Sequence, residues 1–96
     1  MEIKKSVIAG TVESNDILIN LEKSEKGIVI DLESSVKKQF GKQIVKVINN
    51  VLKEMEIENA YIKAVDKGAL DYVIKSRVKT AVYRACECED YKWGEI

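Results

Sequence analysis

The stretch AGTVESNDILINL, Ala9 to Leu21, sets how the first third of the chain is read. Its second half alternates: Ile17, Ile19 and Leu21 fall on one side, Leu18, Asn20 and Glu22 on the other. A period of two belongs to a strand with one buried face. The first half closes another apolar run, Val7 to Val12, which is β-branched enough to be a strand as well. Between the runs stand Glu13, Ser14, Asn15 and Asp16, and Ser14 is the only hydroxyl among them. A reversal is expected at or near Ser14-Asn15 as a two-residue hairpin loop, because Asn tolerates the left-handed conformation. Serine is only tolerated in such a turn, so its place between two acids asks for a reason.

The same period returns in GIVIDLE, Gly27 to Glu33, with Ile28, Ile30 and Leu32 on one face. The connector KSEKG ends in Gly27, suited to positive φ. Three strands in succession read as an antiparallel meander. Ser34 and Ser35 then offer N-caps to a helix. Val36, Phe40, Ile44, Val47, Ile48, Val51, Leu52 and Met55 recur at helical spacing. Lys37 and Lys38 in the first turn oppose the helix dipole, and Gly41 costs roughly 1 kcal/mol against Ala unless another element approaches there. NAYIKAV, Asn59 to Val65, reads as a fourth strand with Ala60, Ile62 and Ala64 on one face. DKGAL turns into a second helix, with Asp66 or Gly68 near its N-cap and Leu70, Val73, Ile74, Val78, Ala81, Val82 and Ala85 as its buried stripe. Arg77, Lys79 and Arg84 fall late in that helix, where cations suit the dipole.

The order β-β-β-α-β-α predicts an α+β fold. The economical packing is a two-layer sandwich: a four-stranded, mainly antiparallel sheet with both helices on one face. Ser14 then sits at a sheet end, away from the core. Residues 1–85 form the domain, and the tail 86–96 (CECEDYKWGEI) has no clear period and is expected to fray.

Composition narrows the function. The 96 residues make one domain with a modest core. Lys+Arg and Asp+Glu balance at 16 each, which argues against nucleic acid, whose binders draw affinity from a basic excess. No apolar run approaches the roughly 20 residues that cross a bilayer, so no membrane role is expected. MEIKKSVIAG lacks the apolar core of a signal peptide. Cys86 and Cys88 are too close to staple a fold, so a cytoplasmic, reduced protein is expected. The chain has no histidine. Ser-His-Asp and Cys-His nucleophiles are thereby excluded, together with imidazole zinc sites.

Three segments, AGTVESND at 9–16, SSVKKQFG at 34–41 and DKGALD at 66–71, together resemble the citrate lyase acyl carrier protein (gamma subunit) family, in order and in spacing. The resemblance covers roughly residues 1–85. It implies a non-catalytic carrier subunit, a phosphoprotein of citrate fermentation. Ser14 matches the serine that the family joins, by a phosphodiester, to triphosphoribosyl-dephospho-CoA. The thiol of that arm carries acetyl; an alpha subunit exchanges acetyl for citryl, and a beta subunit cleaves citryl to oxaloacetate. A holo-carrier-forming transferase is the further partner implied, and no metal belongs to this subunit. Only Ser14 carries over as a functional residue. Tyr72 stands where the family often has Cys, and Lys37 where Glu is common. The malonate decarboxylase carrier is a more distant resemblance.

Read without the resemblance, Ser14 is turn filler, and the chain could be an unmodified interaction module or, less simply, an enzyme using Asp71, Lys67 or Tyr72. Charge adds one expectation: a phosphodiester beside Glu13 and Asp16 would be repelled towards solvent. Asp66, Lys67 and Gly68 read as a cap and turn, or as an anion site at a helix start. Cys86 and Cys88 read as reduced surface thiols rather than a metal site, and Tyr91 and Trp93 as incidental or as a partner anchor.

Overall fold

A computed structural model describes residues 2–34 and 36–87. Strands β1 (Val7–Gly10), β2 (Ile17–Glu22) and β3 (Ile28–Ser34) precede helix α1 (Lys37–Glu54). Strand β4 (Ala60–Asp66) and helix α2 (Asp71–Ala85) follow. The sequence order is the one expected, and the class is α+β.

The sheet order is β1-β2-β4-β3. β1 and β2 pair antiparallel, β2 and β4 antiparallel, and β3 and β4 parallel. The meander is therefore wrong in its third strand. β3 lies one place further out and β4 fills the gap, so β3-α1-β4 is a parallel crossover unit. The period of two tells which face a strand buries and not which neighbour it pairs with. Burial explains the outcome. Ala60, Ile62 and Ala64 of β4 are wholly buried and occupy a central position, while β3 carries exposed Val29, Asp31 and Glu33 and accepts an edge, where charges discourage further pairing.

One face of the sheet holds the core. Ile17, Ile19 and Leu21 of β2 and the inward residues of β4 face the helices. α2 packs over β1 and β2, α1 over β3, and the helices touch each other. In α1 the buried apolar side chains are Ile44, Val47, Ile48, Val51 and Leu52, and Gly41 is buried as well. In α2 they are Ile74, Val78, Ala81, Val82, Tyr83 and Ala85. Two members of the expected stripes depart from them. Phe40 is 52% and Leu70 59% exposed; both stand at helix N-termini, where no described residue covers the gap between α1 and α2. The helix starts also differ from expectation. α1 has Val36 at its N-cap and α2 has Leu70, neither with a side-chain cap. Cys86 is buried at the end of α2 and is no surface thiol. Ser35, Cys88, Tyr91 and Trp93 lie outside the described residues.

Candidate functional site

The connection between β1 and β2 is a six-residue loop, Thr11–Asp16, and not a two-residue hairpin. Its tip is a β-turn in which the Asp16 N–H donates to the Glu13 carbonyl at 3.2 Å. Asn15 takes φ 65° at the third position, the conformation that a type II turn requires and that Asn accepts with least strain. Ser14 precedes it, exposed, and its hydroxyl makes no hydrogen bond among the described residues. Thr11, the loop's other hydroxyl, is engaged: it donates to Asp16 Oδ2 at 2.7 Å and accepts from the Glu13 N–H at 3.2 Å.

Asp16 is the loop's anchor. Its carboxylate accepts from the Ile17 N–H at 2.7 Å and, as a fork, from Arg77 Nε at 3.0 Å and Nη2 at 2.8 Å. The Arg77 guanidinium holds the Asp16 carboxyl at about 2, against burial, with further help from Thr11 and the Ile17 N–H. Asp16 raises the Arg77 pKa in return. Charge on Asp16 is thus largely compensated, and the expected repulsion of a phosphodiester rests on Glu13 alone. Gly10 makes the fork possible. It sits at φ 92°, and a Cβ there would run into the Ile17 carbonyl and stand 3.2 Å from Arg77 Cδ. Read from sequence, Arg77 was only a late helical cation; a charge matched to a loop sixty-one residues away leaves no local signal.

The second and third segments meet the first at this end of the sheet. The Asn15 N–H donates to the Lys67 carbonyl at 2.8 Å, and the Lys67 N–H to the Asp16 carbonyl at 2.9 Å, extending the β2–β4 ladder into the loop. Asp66, only 1% exposed, joins the other two. It accepts from the Ser34 hydroxyl at 2.9 Å, the Gly68 N–H at 3.2 Å and the Ala69 N–H at 3.0 Å. Ser34 also accepts from the Val36 N–H at 3.1 Å. Ser34 therefore shapes the strand exit rather than capping α1, and Asp66 closes a turn rather than capping α2. The anion-site reading of Asp66-Lys67-Gly68 falls, since Asp66 already occupies the Gly68 and Ala69 N–H groups. Asp71 is bridged to α1 by the Gln43 amide at 3.0 Å, and Tyr72 is exposed. No group of three or more His, Cys, Asp or Glu side chains among the described residues could hold a metal ion, and no described helix is long and apolar enough to cross a membrane.

The loop thus presents to solvent one hydroxyl that is unengaged among the described residues, and the class of protein comes from comparison with known proteins. The family model described as malonate decarboxylase delta subunit (MdcD), an acyl carrier protein model, matches residues 4–85. A citrate lyase acyl carrier protein of Oenococcus oeni is 60% identical over 90 residues, covering 94% of this chain and 93% of its own. That of Fusobacterium nucleatum is 52% identical over 94 residues, covering 97% and 100%. That of Halothermothrix orenii is 53% identical over 85 residues, covering 88% and 90%. The chain belongs to the citrate lyase acyl carrier protein family. A crystal structure of homoserine kinase from Cytophaga hutchinsonii shares the fold, with a TM-score of 0.59 at 15% identity. That likeness covers 93% of this chain but 36% of the kinase, and speaks to fold alone.

Proposed function

We propose that the chain is the acyl carrier (gamma) subunit of a cytoplasmic citrate lyase, and that Ser14 bears, through a phosphodiester, the phosphoribosyl-dephospho-CoA arm that triphosphoribosyl-dephospho-CoA donates with loss of pyrophosphate. The observation that carries the reading is the contrast between two hydroxyls on one loop. Thr11 is tied into the Asp16 network, while Ser14 stands exposed at the tip. The residues fit the group: the tip is reachable by a transferase, and the exposed Lys67, whose backbone pairs with Asn15 and Asp16, adds a nearby cation. Forming a phosphodiester from a triphosphate requires the Ser14 oxygen to take the α-phosphoryl group, with pyrophosphate leaving and the serine proton passing to a base of the transferase.

When bound, the arm supplies a terminal thiol that can hold acetyl or citryl as a thioester. The chain's own residues present that arm and keep its root fixed, which raises the effective concentration of the carried group at the alpha and beta subunits. Nothing in that task needs a general base here, and the chain has no histidine. Intact mass spectrometry tests the reading. Coexpressed with the holo-carrier-forming transferase and the CoA-derived precursor, the chain gains the arm's mass and Ser14→Ala gains none. Equal gain in both would overturn the assignment of Ser14, and no gain in either would favour an unmodified interaction module. A malonate decarboxylase-type complex is the second reading, favoured by the family model's description; function with one set of partner subunits and not the other separates the two.

A further inference from the structure

We propose that the cleft between the N-terminal turns of α1 and α2 is the resting berth of the thiol-bearing end of the arm on Ser14, a proposal that rests on the carrier reading. Six large apolar side chains are exposed among the described residues, and Phe40, Leu70 and Tyr72 all line this one groove. Val36, Ile44 and Ala69 complete its apolar wall. Its volume is about 840 Å³, within the range of small-molecule sites, which are concave and mostly apolar with a few polar groups. Here those groups are Asp66, already accepting from the Gly68 and Ala69 N–H groups, Asp71, already accepting from Gln43, and Lys75.

Position favours the arm over other occupants. Gly68 lines the groove, and a Cβ on it would stand 3.7 Å from Asn15 Oδ1, so the groove begins beside the residue that follows Ser14. Charge divides the arm in the same way. A phosphodiester has no cationic pocket inside the groove and stays at the solvent-exposed tip. The uncharged thiol end replaces water over the Phe40, Leu70 and Tyr72 side chains.

The test compares amide and methyl NMR spectra of the free chain before and after arm loading, with loading verified by mass. Expected are shifts at Phe40, Ile44, Ala69, Leu70 and Tyr72, beyond those at residues 11–17. In a Cys88→Ser background, Leu70→Asp and Phe40→Asp, both at exposed positions, should abolish the groove shifts. They should also speed reaction of the arm thiol with a disulfide reagent by roughly threefold or more, as a docked population is released. Verified loading with shifts confined to residues 11–17, and unchanged thiol reactivity in both variants, would overturn the berth while leaving the carrier reading intact. So would groove shifts that appear only on adding an alpha or beta subunit, or groove signals in the unloaded chain that move on deleting residues 88–96. Failure of the mass gain would sink the carrier reading and the berth with it.

Discussion

Replacing Arg77 with Gln removes the fork that ties α2 to the loop carrying Ser14. A carboxyl held at about 2 against the ordinary 3.8 corresponds to at most about 2.5 kcal/mol in favour of its charged form. Two facts reduce the share of the pair itself. Thr11 and the Ile17 N–H also hold the charge, and the side chains are 13% exposed at Asp16 and 39% at Arg77, so solvent screens them. A coupling of roughly 1–1.5 kcal/mol remains for a partly buried, bidentate pair. The assay is a double-mutant cycle of Asp16→Asn and Arg77→Gln by urea denaturation at pH 7, with thermal unfolding beside it. In a domain of this size the coupling corresponds to roughly 4–12 °C in Tm. The pH dependence has a definite sign. The Asp16 pKa is depressed in the fold, so its contribution is complete above the unfolded value near 4 and is lost as pH falls through about 2. Wild type and Arg77→Gln should therefore converge between pH 4 and pH 2. A coupling below about 0.3 kcal/mol at pH 7, or a gap that stays constant down to pH 2, would refute the role given to this pair.

Three further outcomes follow from the same end of the sheet. Asp66→Ala leaves the Ser34 hydroxyl and the Gly68 and Ala69 N–H groups without their acceptor, and should cost about 3 kcal/mol or more in urea denaturation; Asp66→Asn should cost less. Gly10→Ala sets a Cβ against the Ile17 carbonyl at a φ of 92°, and should lower stability by at least about 1–2 kcal/mol, read as a lower urea midpoint. Tyr72→Ser, at a position 70% exposed, should change unfolding free energy by less than about 0.5 kcal/mol.

Much of the architecture was legible because burial imposes a period. The alternation in ILINL and NAYIKAV marks the strands, and the spacing from Ile44 to Leu52 and from Ile74 to Ala85 marks the helices. What was not legible is what depends on partners distant in sequence. The insertion of β4 between β2 and β3 follows from how deeply Ala60, Ile62 and Ala64 are buried, and alternation is blind to that. Phe40 and Leu70 fit an apolar stripe by spacing, yet lie past the point where the helices cover each other. Ser14 was legible as a polar loop residue, and the left-handed Asn15 as its neighbour. The lock on that loop was not, because Asp16, Arg77 and Gly10 are individually ordinary. Asp66 read as one acid in a turn; its place between Ser34 and the Gly68-Ala69 backbone emerges only when the parallel β3–β4 register sets Ser34 beside it.

The central claim concerns which oxygen is joined to the arm, and peptide mapping of the loaded chain addresses it most directly. Trypsin cuts after Lys5, Lys23, Lys26 and Lys37, which separates Ser14 and Thr11 on residues 6–23 from Ser34 and Ser35 on residues 27–37. Fragmentation should place the added phosphate-linked mass on residues 6–23, at Ser14 and not at Thr11 or Ser6. Finding it on residues 27–37, or on Thr11 with Ser14 unmodified, would contradict the account.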